Sequence, residues 1–437
     1  MIGSHELKKR DRYLKKLISF QDTEPVKVIT GIRRCGKSSL LKLMVAHLKE
    51  IGVSPEHIVE MNFESHDFRN MTSDDVYDYV KERTVPGKRM YLFFDELQRI
   101  EKWEDAINAF RVDLDCDIYV TGSNAYLLSS EYSTSGRCVE IKMLPLSFRE
   151  FLSFHDFEVR ETQSALGGLH RQVFDKNGER YELREVFDAF MRFGGMPGIA
   201  DVGLDQEKAL TLLDGIYSTV VVRDILEREK RRGQRQITDP VLLRKIILFL
   251  SDNIGSSVSI SSIGNTLMNE GLLEDGKRKG TPSVHTVQAY VNALMESYFF
   301  YEIKRFDIKG KEYLRTLGKY YIVDIGLRNY LLGFRNRDSG HAIENIVYFE
   351  LLRRGYDVAI GKIDNAEVDF IATSADDKKY IQVTESMQSE DVRKRELAPL
   401  QKIRDNYEKI VLSLDPGLDN SYDGIKSERL IDWLLDE

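Results

Sequence analysis

Hydrophobic and polar positions in the first third of the chain follow two alternating patterns. Runs of β-forming residues at 26–30, 91–94 and 116–124 indicate strands, and the most continuous of them are typical of strands covered on both faces. The stretch KSSLLKLMVAHLKE, which begins at Lys37, spaces its apolar residues as an amphipathic helix does. Strands that alternate with helices predict an α/β domain with a parallel sheet over residues 1–155.

Downstream, the pattern divides the chain into three further segments. Residues 156–240 lose the alternation and predict mainly helices, which would form a lid or connector. Residues 241–335 predict three helices and then a β-hairpin with Gly310 near its tip, an order typical of a winged helix-turn-helix. Residues 336–437 alternate again between helices and strands, which predicts a second α/β domain.

The loop between the first strand and the first helix has the spacing G-x-x-x-x-G-K-S. Its glycines allow backbone N–H groups to turn inward around phosphate oxygens, and the helix N-terminus adds partial positive charge there. We predict that Lys37 reaches the β- and γ-phosphates of a nucleotide and that Ser38 ligates Mg²⁺. The residues predicted to contact the nucleotide are Gly31, Ile32, Arg33, Arg34, Cys35, Gly36, Lys37, Ser38 and Ser39.

Acidic and small polar residues follow the next two strands. Asp95 and Glu96 end the strand of YLFFDELQ, where Asp95 would hold Mg²⁺ through water and Glu96 would act as general base toward the attacking water. Asn124 ends the strand of CDIYVTGSN and is our candidate for sensing the γ-phosphate. An ordinary turn at the end of that strand is the alternative interpretation of Asn124.

The stretches VITGIRRCGKSSLL, YLFFDELQ, IYVTGSNAYLLS and TSGRCVEIKMLPLSFREF together resemble AAA+/STAND-type bacterial and archaeal ATPases that carry a C-terminal domain of unknown function. The resemblance implies a P-loop NTPase fold of the AAA+ type, with ATP and Mg²⁺ as its ligands. It also implies that Arg137 is an arginine finger acting on a neighbouring subunit, and therefore a homo-oligomer that forms at least transiently. A surface arginine that pairs locally is the alternative.

The segment 241–335 offers a surface for DNA. The helix from Ser283 would be the recognition helix, and the hairpin would be a basic wing. Its basic residues are Lys304, Arg305, Lys309, Lys311 and Arg315, and a second basic run, at 230–235, ends the preceding segment. Such residues can bind DNA phosphates, whereas a winged helix used for protein contacts and a solvated helix end are the alternatives.

The last segment, 336–437, resembles the PD-(D/E)XK nuclease fold. The resemblance places a degenerate site at Glu344, Asp369, Gln382 and Thr384. Gln382 lacks the charge that holds a divalent cation, and Thr384 stands where the family has lysine, so we expect a nuclease-derived binding module that does not cut DNA.

Composition limits the function further. The net charge of −8 over 437 residues excludes a generally basic nucleic-acid binder, and three widely spaced cysteines argue against a disulfide framework. No apolar stretch has the length of a membrane span, so we expect a cytoplasmic protein without membrane contact. The leading interpretation is an ATPase that couples nucleotide state to a C-terminal half that binds DNA or another partner. The alternatives are an ATP-gated, metal-dependent nuclease and a signalling scaffold that holds ATP.

Overall fold

The computed structural model describes residues 7–123, 136–163, 169–227, 237–269, 282–314, 317–335, 338–415 and 421–436. The chain forms two compact units. The smaller unit comprises Met1–Leu144 with Glu296–Tyr298, and the larger comprises Pro145–Met295 with Phe299–Glu437. Among the described residues, no helix is both long and apolar enough to cross a membrane.

The smaller unit contains a five-stranded sheet in which all neighbouring strands are parallel, as the sequence predicts. In spatial order the strands run β2-β3-β4-β1-β5. Their bounds are β1 Val26–Thr30, β2 Ile58–Asn62, β3 Met90–Asp95, β4 Cys116–Gly122 and β5 Cys138–Lys142. The helices are α1 Asp11–Ser19, α2 Lys37–Glu50, α3 Ser73–Glu82 and α4 Trp103–Asp113.

Burial explains why these strands lie at the centre of the unit. Every residue of β1 and β3 is buried, as expected for parallel strands with helices on both faces. Even Lys27 of β1 is fully buried, and its ion pair with Asp117 of β4 compensates for the burial of its charge. The Tyr119 hydroxyl and the N–H of Asp22 each donate a hydrogen bond of 2.8 Å to the same carboxylate.

The larger unit begins with a helix and a three-stranded sheet, and the hydrophobic pattern of the sequence does not predict the sheet. Its first helix is α5 Phe148–Phe154, and it is followed by an antiparallel sheet of β6 Glu158–Gln163, β7 Leu169–Phe174 and β8 Arg180–Tyr181. The prediction of a mainly helical segment 156–240 is therefore wrong for its first part. A turn at residues 175–178 connects β7 and β8. Gly178 has a φ of +82°, and its N–H donates to the carbonyl of Asp175. A glycine at such a turn is the feature of the local sequence that indicates a hairpin.

Helices follow in the described remainder of that segment. They are α6 Leu183–Phe193, α7 Gly198–Val202, α8 Gln206–Ser218 and a π-helical continuation at Thr219–Glu227. The next helices are α9 Pro240–Asp252, α10 Ile260–Asn269 and α11 Val284–Glu296. A small antiparallel sheet accompanies these three, in the order β10-β13-β9, from β9 Ser257–Val258, β10 Phe300–Ile303 and β13 Gly318–Ile322.

The predicted hairpin around Gly310 is divided between two sheets. Its base pairs β10 with β13 in the small sheet, whereas its tip pairs β11 Arg305–Asp307 with β12 Glu312–Tyr313. Strand β11 also pairs in parallel with β14 Asp357–Ile363 of the last segment. The tip of the hairpin therefore belongs to the sheet of residues 336–437, and the boundary expected at residue 335 does not separate the two sheets.

That last sheet has eight strands in the order β12-β11-β14-β15-β16-β17-β19-β18. The remaining strands are β15 Ala366–Thr373, β16 Lys378–Thr384, β17 Glu408–Ser413, β18 Ser421–Tyr422 and β19 Ile425–Arg429. The helices of this part are α12 Ile325–Leu332, α13 Ser339–Arg353, α14 Glu390–Gln401 and α15 Leu430–Leu435. The buried side chains of Val368, Tyr380, Leu400 and Val411 fill part of the core of this sheet.

Candidate functional site: a nucleotide pocket at the carboxyl edge of the parallel sheet

The predicted nucleotide residues come together because of the strand order. Strand β4 lies between β1 and β3, and all three run in the same direction. The loop after β1, the end of β4 and the acidic end of β3 therefore meet at one edge of the sheet. Ligands of open α/β sheets bind at this carboxyl edge.

The loop after β1 has the conformation that its glycines permit. Gly36 has a φ of +105° and directly precedes α2, and Gly31 has a φ of +140°. A Cβ atom on Gly31 would lie 2.1 Å from the carbonyl oxygen of Met143, so no larger residue fits there. The buried Lys37 folds over the loop and donates to the carbonyls of Gly31, at 3.0 Å, and Ile32, at 3.1 Å.

Other residues of the loop have separate roles. Cys35 and Ile32 are buried, and the Cys35 thiol lies 3.6 Å from the carbonyl oxygen of Met143, so both side chains pack beneath the loop. Ser38 and Ser39 are half-buried in the first turn of α2. Arg34 is exposed and adopts a positive φ of 65°.

The acidic pair is fixed by hydrogen bonds from β4 and β2. Asp95 accepts from the hydroxyl of Thr121, at 2.5 Å, and from the side-chain amide of Asn62, at 3.1 Å. Glu96 has a φ of 58°, a conformation that costs a non-glycine residue on the order of 1–3 kcal/mol. Its backbone N–H donates to the Thr121 oxygen at 3.0 Å, so one hydroxyl stabilises both acidic residues.

The Glu96 carboxylate is held in turn by two side chains. Ser123 donates to it from the end of β4 at 3.3 Å, and the Gln98 amide donates from the turn that follows β3 at 2.5 Å. The amide oxygen of Gln98 is buried and has no hydrogen-bond partner among the described residues. A carboxylate oriented from two sides, next to an acceptor that lacks a donor, is suited to positioning a water molecule.

A group of charged side chains lies beside the loop. The carboxylate of Glu64 accepts hydrogen bonds from Arg33 of the loop and from Arg99, the latter at 2.9 Å. Arg33 therefore pairs with a carboxylate beside the loop, and its contact with a nucleotide stays a prediction.

Of the other two predicted catalytic residues, one lies outside the described residues and the other lies at the opposite edge of the sheet. Asn124 lies outside the described residues. Arg137 is exposed, and its carbonyl accepts from the N–H of Val26, which places it at the amino edge of the sheet. The five residues of β1 separate this edge from the loop by about 16 Å, so Arg137 does not reach the loop of its own chain.

The sequence analysis missed the roles of Asn62, Gln98 and Glu64 at this site. Asn62 had a usable signal, because it is a polar residue at the end of a strand, like Asp95. Its importance depends on β2 lying next to β3, and strand order is not written in local sequence.

The donor set of this edge fits the predicted ligands. The loop offers backbone N–H groups and an ammonium, which bind phosphate oxygens. The Ser38 hydroxyl and the Asp95 carboxylate are hard oxygen donors of the kind that Mg²⁺ prefers. Lys37 now donates to loop carbonyls, and these are the hydrogen bonds that a phosphate would replace.

The four residues of the predicted degenerate site lie on α13, β15 and β16. The N–H of Val383 donates to the buried Asp369 carboxylate at 2.9 Å, and the Gln382 oxygen accepts from the Asp369 N–H at 3.3 Å. The Gln382 amide donates to Glu396 of α14 at 3.1 Å, whereas Thr384 donates to the carbonyl of Ser386 at 3.4 Å. Gln382 thus bridges two acidic residues instead of carrying a charge itself.

A lysine that the sequence analysis missed contacts the same cluster. Lys319 of β13 lies 2.8 Å from a carboxylate oxygen of Glu367 and 3.8 Å from one of Glu344. Burial opposes the Lys319 charge, but Glu344, Asp369 and Glu367 together raise its pKa above the ordinary value. Burial, and next to it the Glu344 charge, raise the pKa of Asp369 well above its usual range.

This cluster does not have the geometry of a metal centre. Among the described residues, no group of three or more His, Cys, Asp or Glu side chains is arranged to hold a metal ion. The Lys319 ammonium provides the positive charge of the cluster instead.

Comparisons with known proteins agree with the nucleotide site. Residues 23–152 match the model of an AAA domain, and residues 184–338 match a domain of unknown function (DUF8612). An uncharacterized protein of Haemophilus influenzae is 38% identical over 430 residues, which is 98% of each chain. An uncharacterized protein of Methanocaldococcus jannaschii is 30% identical over 387 residues, which cover 86% of this chain and 78% of that one.

A similar solved structure is a Walker-type ATPase of Pyrococcus abyssi. It is 15% identical, with a TM-score of 0.47, and the match covers 74% of this chain and 95% of that one. The glycine-lysine-serine loop, the acidic end of β3 and the match at residues 23–152 together identify the smaller unit as an AAA domain. The chain belongs to the AAA-domain family of P-loop ATPases, together with these uncharacterized relatives from Haemophilus influenzae and Methanocaldococcus jannaschii.

Proposed function

We propose that the chain binds and hydrolyses ATP and uses its nucleotide state to rearrange a C-terminal half that binds DNA. The observation that carries the ATPase proposal is the common edge at which the Lys37 loop faces the Asp95–Glu96 pair across the end of β4. Hydrolysis requires the phosphate-binding loop and the general base at the same edge of the sheet, and here only β4 lies between the strands that carry them.

Each residue of the edge has a defined task in this proposal. Lys37 leaves the carbonyls of Gly31 and Ile32 and pairs with phosphate oxygens, while the loop N–H groups hold the remaining oxygens. Ser38 and Asp95 would hold Mg²⁺. When bound, Mg²⁺ neutralises part of the charge on the β- and γ-phosphates.

Glu96 accepts a proton from the attacking water as general base. Ser123 and Gln98 keep its carboxylate oriented through the hydrogen bonds described above, and Thr121 fixes the backbone turn that presents it. A binder that does not turn over ATP has no need of this second carboxylate, which argues against the signalling-scaffold alternative.

The test compares two variants with a matched control. Glu96→Gln should keep ATP affinity and lose about 100-fold or more in turnover, the usual contribution of a general base. Lys37→Ala should lose ATP affinity itself. Glu101→Gln alters an exposed carboxylate five positions further along the chain and should behave as wild type. Unchanged turnover in Glu96→Gln would remove Glu96 from this role.

The DNA part of the proposal is supported by the helices and strands of residues 240–322. His285 and Asn292 of α11 are exposed on the face opposite the buried Val287 and Val291, as the recognition-helix interpretation requires. The exposed Lys304 and Lys311 flank β11 at the tip of the hairpin. Together these side chains offer polar groups for bases and cations for phosphates.

ATP hydrolysis measured with and without duplex and single-stranded DNA, over a salt series, tests this part. We expect DNA to raise turnover and the effect to fade as salt rises, because phosphate contacts release counterions. A Lys304→Ala/Lys311→Ala variant should lose the response while keeping its basal turnover. A response that is flat in DNA would favour a protein partner.

A second candidate function is an ATP-gated nuclease, and the position of Lys319 favours it. The family lysine is missing at Thr384, but Lys319 places an ammonium within 3.8 Å of Glu344. Supercoiled DNA incubated with Mg²⁺ and ATP tests this candidate. Cleavage that Asp369→Ala abolishes would establish the nuclease, and intact DNA with wild-type protein would reject it.

A further inference from the structure

A cavity of about 570 Å³ lies in the larger unit, and most of its lining residues belong to the stretch that matches the domain of unknown function. Helix α6 lines one side with Arg184 and Arg192, and Arg328 of α12 lines another. Phe334 and Asp338 follow α12 and contribute to the same wall. Its volume lies within the roughly 300–1,000 Å³ of small-molecule sites.

Charge indicates the kind of ligand. The lining holds four arginines and two aspartates, and Asp252 pairs with one of the arginines from outside the lining, so the site keeps a small excess of positive charge although the chain as a whole carries −8. The arginines are Arg184, Arg192, Arg328 and Arg335. A positive, partly enclosed surface of a negative protein attracts an anion more strongly than its surroundings do.

The arginines are held in place before any ligand binds. The buried Arg328 donates to the Ser251 carbonyl and to Asp338, both at 2.9 Å, and Arg335 pairs with Asp252 at 2.7 Å. A guanidinium has several N–H donors in a planar fork, so pairing with one carboxylate leaves donors for a phosphate. Positioned donors lower the entropic cost of binding.

An aromatic side chain lies next to these cations. The ring of Phe334 is 49% exposed, and its centroid lies 5.6 Å from the guanidinium carbon of Arg192. The same guanidinium lies 5.9 Å from the ring centroid of Phe193, and it donates to the Gln206 amide oxygen at 2.5 Å. An exposed ring beside a fixed cation is the arrangement on which nucleic-acid bases stack.

We propose that this cavity binds a nucleotide, either free or within a single nucleic-acid strand. The base stacks on Phe334, and Arg192 with the neighbouring arginines holds the phosphate. A ligand with only an anionic group would leave the exposed ring uncovered, and a purely apolar ligand would give the remaining guanidinium N–H donors no acceptor. This site is separate from the nucleotide loop and does not depend on ATP hydrolysis.

The experiment uses the full chain with Lys37→Ala, so that the nucleotide loop does not contribute. A fluorescein-labelled, short, mixed-sequence single-stranded DNA is titrated by anisotropy, and AMP and TMP are tested as competitors. Arg192→Ala and Phe334→Ala, each added to Lys37→Ala, should weaken binding about tenfold, the loss that one phosphate contact or one stacked base brings. Displacement by AMP or TMP identifies a free nucleotide as sufficient, and resistance to both identifies the strand.

Matched controls come from the same unit. Arg180→Ala removes an exposed arginine paired with Glu182, and Tyr407→Ala removes a ring that is 51% exposed. Both should bind as the Lys37→Ala parent does. Equal loss in the controls, unchanged binding in Arg192→Ala and Phe334→Ala, or no binding of any probe by the parent would overturn the proposal. Thermal unfolding of each variant separates lost binding from lost folding.

Discussion

Thr121 is the side chain that links the two acidic residues of the nucleotide site. Its hydroxyl donates to Asp95 and accepts from the N–H of Glu96, so the position of the proposed base depends on one oxygen atom in the neighbouring strand. Glu96 has a positive φ, which persists only where the surroundings stabilise it. The proposed chemistry therefore depends on a residue that acts through Asp95 and Glu96.

Thr121→Val tests this dependence, because valine has the same shape without the hydroxyl. The buried N–H of Glu96 would lose its partner, at a cost of about 1–3 kcal/mol, and the turn would relax. We expect kcat to fall about 10- to 100-fold, the fall that a loss of this size brings when the base is displaced. Affinity for ATP, measured with a fluorescent analogue, should change much less.

Thr121→Ser is the matched control, since serine keeps the oxygen and removes a methyl group. It should retain most of the turnover. Equal kcat values for the valine and serine variants would show that the hydroxyl has no part in placing Glu96.

At this scale the sequence predicts contacts that lie within one motif and misses those between strands. Gly31, Lys37 and Ser38 follow one another in the chain, so their spacing alone defines the loop. The Thr121–Asp95 bond joins residues 26 positions apart, and it exists only because β4 lies beside β3. Lys319 was missed for the same reason, since its carboxylate partners come from α13 and β15.

At the scale of elements, Asp324 joins a helix to a glycine turn inside the larger unit. Its carboxylate accepts from the N–H of Leu327, at 3.0 Å, which caps α12, and from the N–H of Gly195, at 2.6 Å. A Cβ atom on Gly194 would lie 2.3 Å from the same carboxylate, so the glycines are needed for this approach. Local sequence does not show that Gly195 approaches an aspartate 129 positions away.

The buried Asp324 should make stability depend on pH. Burial raises its pKa to about 6, and the backbone N–H donors offset only part of that effect. Because the folded-state pKa is raised above the unfolded value, this group's contribution is fully present below about pH 4 and is lost as pH rises through about 6.

Asp324→Asn removes the titration and keeps an oxygen for the cap. The Tm of wild type minus that of the variant should therefore decrease between pH 4 and pH 7. Circular dichroism melts of both proteins in matched buffers measure this difference. A difference that is constant across the range would mean that Asp324 does not take up a proton on folding.

The strands β6–β8 show why one element was missed altogether. Their sequences are short and mostly polar, as in EVRETQ, so hydrophobic periodicity predicts neither helix nor strand with any strength. The wing of the hairpin illustrates the opposite case. Its turn at Gly310 was recognised, but local sequence does not say that β11 also pairs with β14, more than 50 residues later.

At the scale of the whole molecule, the position of Arg137 bears on assembly. It lies at the amino edge of the parallel sheet, whereas the nucleotide loop lies at the carboxyl edge. An arginine finger at this position therefore serves the nucleotide of another subunit. The alternative of a surface arginine predicts no dependence on assembly.

Mixing two inactive variants distinguishes these alternatives. Lys37→Ala has a defective loop and an intact Arg137, and Arg137→Ala has the reverse. If the finger acts between subunits, the mixture should recover part of the ATP hydrolysis that each variant lacks, because some interfaces combine the two intact parts. Arg149→Ala, which removes another exposed arginine, is the control and should hydrolyse ATP without a partner variant. An Arg137→Ala variant with wild-type turnover would reject the finger.

Lys319 connects the small sheet of β10, β13 and β9 with the eight-stranded sheet. It lies on β13, and it pairs with Glu367 of β15 and Glu344 of α13. Its side chain is only 6% exposed, so one buried ammonium compensates part of the charge of these two carboxylates. Burying an ion pair contributes little net stability, but removing one partner leaves an uncompensated charge that costs about 3–5 kcal/mol.

Lys319→Met should therefore lower the Tm, and adding Glu367→Gln should recover part of the loss, because it removes a carboxylate whose remaining cation, Arg305, lies 3.9 Å away. Lys319→Arg, which keeps the charge, should cost less than Lys319→Met. Mg²⁺ should raise the Tm of Lys319→Met and leave wild type unchanged, since the ion would take the place of the missing ammonium. Equal stabilisation of both proteins by Mg²⁺ would mean that these carboxylates bind metal alongside Lys319. That result would favour the second candidate function, an ATP-gated nuclease.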